Sequence, residues 1–299
     1  MTAPVGAIAA EARHLRLPDG RTLAYSEFGR ADGEPVFYCH GSPASRLEPL
    51  LIGDEVLSRH GLRVIAADRP GIGGSDAQPG RRITDWPADM AALADALGVR
   101  RFAVLGNSGG APYAAICAAL MPERVRAAVI VSGGWRMDWP EARDGMPFVN
   151  RLVMTLARRA PWLLKLLLTS MGGVATGEHD KELAQMKRRM PPPDFEAFAV
   201  PGRLEAFGAM MREALRQGAA GPAYDLGLYM RPFGFEAHDV AMPITWFHGE
   251  QDTNAPIALA RRVSGLMPAA RLVTFANEAH LSTLCGQLDA IAAALRNGA

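Results

Sequence analysis

The sequence predicts an α/β fold: a mostly parallel sheet with an antiparallel start, helices on both faces and a helical insertion. Three observations predict it. Short, partly β-branched apolar runs alternate with helix-like stretches, and the runs are continuously apolar, as strands buried on both faces require. Two alternating runs at the start meet at Asp19-Gly20, a hairpin signal. From Trp135 to Glu236 the strand–helix alternation stops and only helical patterns remain.

Along the chain, "HLRLPDGRTLAYSEFG" gives the hairpin and "PVFYCHG" (35–41) a compact strand. Leu47 to His60 suits one helix ending at Gly61, and "LRVIAAD" follows as a strand. Asp85 to Leu97 reads as a helix with Gly98 just past its end, where a left-handed residue commonly closes a helix. A strand at 101–105, a helix at 109–121 and the strand "VRAAVIVSG" come next. The insertion carries "FVNRLVMTLARRAPWLLKLLLTSM", "DKELAQMKRR" and "RLEAFGAMMREALRQG", divided by the proline breaks "MPPPDF" and "AVPGR". After it come the strand "PITWFHG" (243–249), a helix from Pro256 to Leu266, the strand "ARLVTFA" and a last helix from His280 to Arg296. The expected organisation is a core of residues 1–134 and 237–299 with a helical cap at 135–236.

At 299 residues the chain can bury a sizeable core. Its 32 basic and 31 acidic residues give a formal net charge of +1, so no field gathers nucleic acid or a strongly charged partner. Cys39, Cys117 and Cys285 are few, odd in number and set in apolar contexts, which suits reduced thiols rather than a disulfide framework. No secretion signal and no run of 18 apolar residues is found, so a cytoplasmic protein without stable membrane insertion is expected.

The chemistry is carried by "VLGNSGGAPYAA" (104–115), where a strand-like run meets a helix-like run. Gly106 and Gly110 frame Ser108 in the pattern G-x-S-x-G, a sharp turn that pushes the serine hydroxyl out of the sheet beside a helix N-terminus. A glycine-rich packing turn would need no acid or base elsewhere. The chain offers both: Asp252 in "HGEQD" and His280 in "NEAHLS", each following a strand, in the order serine, acid, histidine. Ligands of such sheets bind at the carboxyl ends of the strands, where Gly41-Ser42, Asp68, Ser108 and Asp252 all fall. In this reading His280 takes the serine proton during attack, and Asp252 orients the imidazole and stabilises its cation. The developing oxyanion needs donors, for which the backbone N–H groups of Gly109 and Ser42 are candidates.

With "HG-x-P", "DRPGIGGSD", "GNSGG" and "HGEQD" followed by a late histidine, the chain resembles the capped, esterase-like members of the α/β-hydrolase superfamily over nearly its whole length. The resemblance implies the catalytic set Ser108, Asp252 and His280, an oxyanion hole from Ser42 and Gly109, and no metal or organic cofactor. It implies a small ester or lactone as substrate, with acyl transfer, carbon–carbon bond hydrolysis or a low-turnover ligand receptor as alternatives on the same fold. The loop is "HGSP" rather than the "HGGG" of many lipases, a departure from that subclass. Dehalogenase and epoxide-hydrolase chemistry is disfavoured, because those relatives carry an aspartate where Ser108 stands.

Several residues have plainer readings. Glu250 rivals Asp252 but stands closer to the strand end, and His248 precedes the acid and reads as structural. His40 reads as a packed residue shaping its loop. Gly71, Gly73 and Gly74 lack the Lys-Ser/Thr ending of a phosphate loop, and Asp68 and Arg69 read as a pair fixing that turn. Met154, Trp162, Met171, Phe207, Met210, Met211, Tyr224 and Tyr229 are core by default, with some lining a pocket. "PWLLKLLLTSM" is expected to bury itself over the site, and Arg151, Arg158, Arg159, Arg188 and Arg189 to face solvent. The expected assembly is a monomer or homodimer, with activity rising through one ionisation near neutrality as His280 loses its proton.

Overall fold

The computed structural model describes residues 11–172 and 187–297. Eight strands form one sheet in the order β1-β2-β4-β3-β5-β6-β7-β8. They are β1 (Arg13–Arg16), β2 (Thr22–Gly29), β3 (Glu34–Cys39), β4 (Leu62–Ala67), β5 (Phe102–Asn107), β6 (Val125–Val131), β7 (Ile244–Gly249) and β8 (Ala270–Phe275). β1 and β2 pair antiparallel, β2 joins β4 antiparallel, and every other neighbour pair is parallel.

The continuous apolar runs are explained by burial on both faces. Phe37, Cys39, Ile65, Phe102, Val104, Ile130 and Trp246 point to one core, shared with α2 (Trp86–Ala96), α3 (Ala111–Leu120) and α9 (Ile257–Leu266). Their strand neighbours Val36, Tyr38, Val64, Ala103, Leu105, Val129 and Phe247 point to the other, shared with α1 (Asp54–Arg59), α10 (His280–Gly286) and α11 (Leu288–Asn297). Burying one large apolar side chain is worth about 1.5–3 kcal/mol, so two such faces supply the main stabilising term.

Two single helices of the sequence reading are each divided. Leu47–His60 becomes a 3-10 turn at Glu48–Leu51 and then α1, because Gly53 between them has φ 101°, outside any right-handed helix. The last helix divides at Gln287 into α10 and α11.

Between β6 and β7, the described residues form α4 (Phe148–Arg159), α5 (Pro161–Gly172), α6 (Pro192–Phe198), α7 (Arg203–Ala214) and α8 (Ala220–Leu228). α4, α5 and α8 pack into the first core, whereas α6 and α7 pack into the second, so this stretch touches both sides of the sheet. Most of "DKELAQMKRR" and the side chain of Met171 lie outside the described residues. Arg151, Arg158, Arg159, Arg188 and Arg189 are exposed, as expected. α5 departs from expectation: Leu164 and Leu168 are buried, but Trp162 and Leu166 stand 66% and 61% exposed. Among the described residues no helix is long and apolar enough to cross a membrane.

Candidate functional site

β5 ends at Asn107, and Ser108 follows with φ 52°, a left-handed conformation uncommon for a residue with a side chain. The turn Ser108–Gly110 then opens directly into α3. Two absent side chains allow it. A Cβ on Gly110 would lie 1.8 Å from the Cys39 carbonyl oxygen, and one on Gly106 would lie 2.7 Å from that of Gly110. The Ser108 carbonyl accepts from the N–H groups of Ala111 and Gly134, the latter at 2.8 Å. Ser108 is half-buried, and among the described residues no hydrogen bond engages its hydroxyl. In ligand-free sites such contacts commonly tighten only when substrate binds.

Asp252 lies in the loop after β7. Its Oδ1 accepts from the N–H groups of Asn254 and Ala255, both at 2.8 Å, and its Oδ2 faces His280 Nδ1 at 2.7 Å. His280 opens α10 just after β8, and the hydroxyl of Ser132 donates to its carbonyl at 2.8 Å. With Nδ1–H donating to the carboxylate, Nε2 of the neutral ring is free to accept a proton. Burial alone would lower the His280 pKa. The charge and hydrogen bond of Asp252, with the charges of Asp194 and Glu48, overcome it and push the pKa up to about 9. The imidazolium is thereby favoured above the near-neutral ionisation expected from the sequence.

Glu250 is part-exposed and pairs with Arg261 at 3.3 Å, away from the histidine. His248 accepts from Trp246 Nε1 on Nδ1 at 3.2 Å, so its Nε2 carries the proton and donates to the Ala255 carbonyl at 2.7 Å. Burial holds its pKa below the usual value, which suits a neutral structural ring. His40 is fully buried, with Nδ1 donating to the Gly41 carbonyl at 2.9 Å.

Ser42 and Gly109 face each other: a Cβ on Gly109 would lie 3.0 Å from the Ser42 backbone nitrogen. The hydroxyl of Tyr229 donates to the Gly109 carbonyl. Asp68 and Arg69 are not partners, contrary to the sequence reading. Asp68 accepts from the Arg46 guanidinium at 2.5 Å, and Arg69 turns the other way, to Asp225 at 2.8 Å. The glycine loop therefore closes round a carboxylate, a poor host for phosphate.

Three acids of the site escaped the sequence reading. Glu48 Oε2 accepts from the Gly41 N–H at 2.8 Å, and its other oxygen is 2.9 Å from where a Gly41 Cβ would stand, a point 3.6 Å from Ser108 Oγ. Burial raises the Glu48 pKa. Asp194 of α6 accepts from the N–H groups of His280, Leu281 and Ser282 at 3.2, 2.8 and 2.9 Å. Asp225 of α8 is fully buried behind Ser42. Asp194 and Asp225 find partners 86 and 156 residues away, so no local pattern marks them.

A cleft of about 550 Å³ beside Glu196, Arg203, Gln251, Glu278 and Cys285 contains none of Ser108, Asp252 and His280. Cys39, Cys117 and Cys285 are free thiols. Among the described residues no three His, Cys, Asp or Glu side chains are grouped to hold a metal ion.

Residues 34–284 match the model of the family described as alpha/beta hydrolase fold. A non-heme chloroperoxidase of Streptomyces lividans is 41% identical over 119 residues, 38% of this chain and 42% of that one. The chain spans about two fifths of the length of this and other curated relatives it matches. A longer match, 24% identical over 278 residues, covers 89% of this chain and 92% of a bifunctional esterase/perhydrolase of Acinetobacter calcoaceticus. Among solved structures, an esterase of Rhodococcus sp. ECU1013 superposes with a TM-score of 0.64 at 22% identity, covering 95% of this chain and 99% of that one, a likeness of fold.

Proposed function

Because the chain belongs to the alpha/beta hydrolase fold family, we propose that it is a serine hydrolase cleaving a carboxylic ester or lactone of a small, moderately hydrophobic substrate. Ser108 Oγ attacks the carbonyl carbon while His280 Nε2 takes its proton. The tetrahedral oxyanion accepts hydrogen bonds from the Ser42 and Gly109 N–H groups. His280 returns the proton to the leaving alcohol, giving an acyl-enzyme. Water, deprotonated by the same ring, then releases the acid and regenerates Ser108. Asp252 holds the imidazole in orientation and stabilises its cation.

The observation that carries the reading is the 2.7 Å contact of His280 Nδ1 with Asp252, combined with a serine at φ 52° on the strand-to-helix turn. The esterase activity of the Acinetobacter calcoaceticus relative, similar over most of the chain, supports ester chemistry. The perhydrolase activity of that relative favours, as a second reading, transfer of the same acyl group to an acceptor other than water. Residues 135–236 act as a cap, and the exposure of Arg151, Arg158, Arg159, Arg188 and Arg189 supports neutral rather than anionic substrates. Each methylene buried against such a cap is worth about 0.8 kcal/mol, so three or four could change kcat/KM by about a hundredfold if retained in the transition state.

The test is a panel of esters of varied acyl length and charge, with Ser108→Ala as control. Neutral short- to medium-chain esters should be cleaved fastest, and the control should be inactive. Equal activity in the control would exclude Ser108, and a carboxylate-bearing ester winning by about tenfold or more would exclude the neutral preference.

A further inference from the structure

Behind Ser42 lies a buried polar cluster that the serine, acid and base do not explain. Arg69 and Asp225 are wholly inaccessible, Tyr113 likewise, and Arg81 nearly so. Asp225 comes from α8, in the stretch between β6 and β7, and accepts from four groups: Arg69, Arg81, Tyr113 and the Ser42 hydroxyl. Arg69 spends its remaining donors on the loop after β3. One Nη donates to the His40 carbonyl, and the other to the Gly41 carbonyl at 2.7 Å and to Ser42 Oγ at 2.9 Å. The guanidinium also lies 4.5 Å over the Tyr113 ring.

The orientation of one peptide follows. In a trans peptide the C=O and N–H point in opposite directions. The Gly41 oxygen is held by Arg69, and by His40 Nδ1 at 2.9 Å, so the Ser42 N–H is aimed away from the cluster, toward Gly109. A charged donor on the carbonyl polarises the amide and strengthens its N–H as a donor. The opposing peptide is arranged in the same way with neutral backing: the Ser108 carbonyl is held by Gly134 and Ala111, which aims the Gly109 N–H. The buried cluster holds two arginines against one aspartate, leaving positive charge behind the point where negative charge develops.

We propose that Arg69, clamped by Asp225 of the inserted stretch, is the positioning residue of the oxyanion hole, and that docking of α8 is what completes that hole. The inference rests on the serine-hydrolase reading above. Arg69 touches no reacting atom; it acts through the Gly41–Ser42 peptide. It stabilises the tetrahedral state more than the bound ester, so its loss should fall on kcat and spare KM.

The experiment compares the full-length protein with Arg69→Met, Arg69→Lys and Ser42→Ala, using p-nitrophenyl acetate as substrate and an alkyl trifluoromethyl ketone as a tetrahedral-state mimic. Circular dichroism checks the fold of each variant, and an alkyl fluorophosphonate, which loses fluoride as Ser108 Oγ bonds to phosphorus, checks Ser108 in the wild type. Losing one oxyanion donor costs about 10²–10³ in kcat, so Arg69→Met should lose about a hundredfold. Arg69→Lys, retaining charge without the fork, should recover about a tenth of the wild-type rate, and Ser42→Ala, retaining the N–H but not the tether, should lose about tenfold. KM should stay within about threefold, and the ketone should weaken in step with kcat/KM. If Arg69→Met does not fold, Ser42→Ala and Arg69→Lys carry the test. A folded Arg69→Met or Ser42→Ala with near-wild-type kcat overturns the proposal. So does a fall in kcat with unchanged ketone affinity. A wild type that neither turns over ester nor takes up phosphonate overturns the serine-hydrolase reading and, with it, this inference; the first two results leave that reading standing.

Discussion

His280 Nδ1 lies 2.7 Å from Oδ2 of Asp252, and the other oxygen of that carboxylate is pinned by two backbone N–H groups at 2.8 Å. A carboxylate so held cannot swing to solvent when the ring changes charge. The chemistry of this pair gives the first expectation, a displaced pH profile. Asp252, Asp194 and Glu48 all favour the imidazolium, and neutral His248 lies beyond Asp252. kcat/KM should therefore rise with pH through a midpoint near 9, well above the ordinary histidine value of 6.5. The same shift acts on stability: the folded pKa is raised, so its contribution is complete below 6.5 and is lost as pH rises through about 9. Initial rates from pH 5 to 10 and melting temperatures across the same range check both.

Asp252→Asn should lower kcat by about 10³–10⁴, because an amide cannot hold the tautomer that leaves Nε2 free. Glu250→Gln, which breaks only a part-exposed contact with Arg261, should keep activity within about twofold. Steady-state kinetics on both variants decide between the two acids. The opposite pattern would move the acid to Glu250.

Asp194 should matter through charge and capping together. Asp194→Asn keeps an oxygen for the Leu281 and Ser282 N–H groups and removes a negative charge near the base. Its kcat/KM profile should move to lower pH, with a stability loss below about 1 kcal/mol. Asp194→Ala removes the cap and should cost about 1–2 kcal/mol. Unchanged profiles in Asp194→Asn would show that its charge does not reach His280.

Two glycines provide a contrast in stability. Gly110→Ala would put a Cβ 1.8 Å from the Cys39 carbonyl, a backbone overlap that no side-chain rotation relieves. It should abolish folding or destabilise by several kcal/mol, beyond about 4. Gly265→Ala, in α9 with nothing within 4 Å, should stabilise by about 0.5–1 kcal/mol. Denaturant unfolding of both measures the difference.

Much of the fold was legible because its signals are local. The apolar runs, the Asp19-Gly20 turn and the Gly106–Gly110 frame each specify their own backbone within a few residues, and the sheet keeps all of them. Helix interruptions were less legible: Leu47–His60 has a helical pattern on both sides of Gly53, and only the φ of 101° there reveals the break. What was hidden is long-range pairing. Arg69 stands next to Asp68, but Asp68 is claimed by Arg46, leaving Arg69 to reach an aspartate 156 residues on. Asp194 and Glu48 look like ordinary surface acids until α6 and the 48–51 turn fold against the base and the serine loop. The exposed Trp162 shows the converse, an apolar residue whose burial the helical pattern suggested and the packing does not provide.

An activated Ser108 nucleophile should be open to covalent capture. The protein is treated with an alkyl fluorophosphonate near pH 9, where His280 is substantially neutral, and its intact mass is measured. The expected result is a single phosphonyl adduct on the wild type, mapped to the peptide carrying Ser108, and none on Ser108→Ala. A wild type left unmodified, or an adduct that persists in Ser108→Ala, would contradict it.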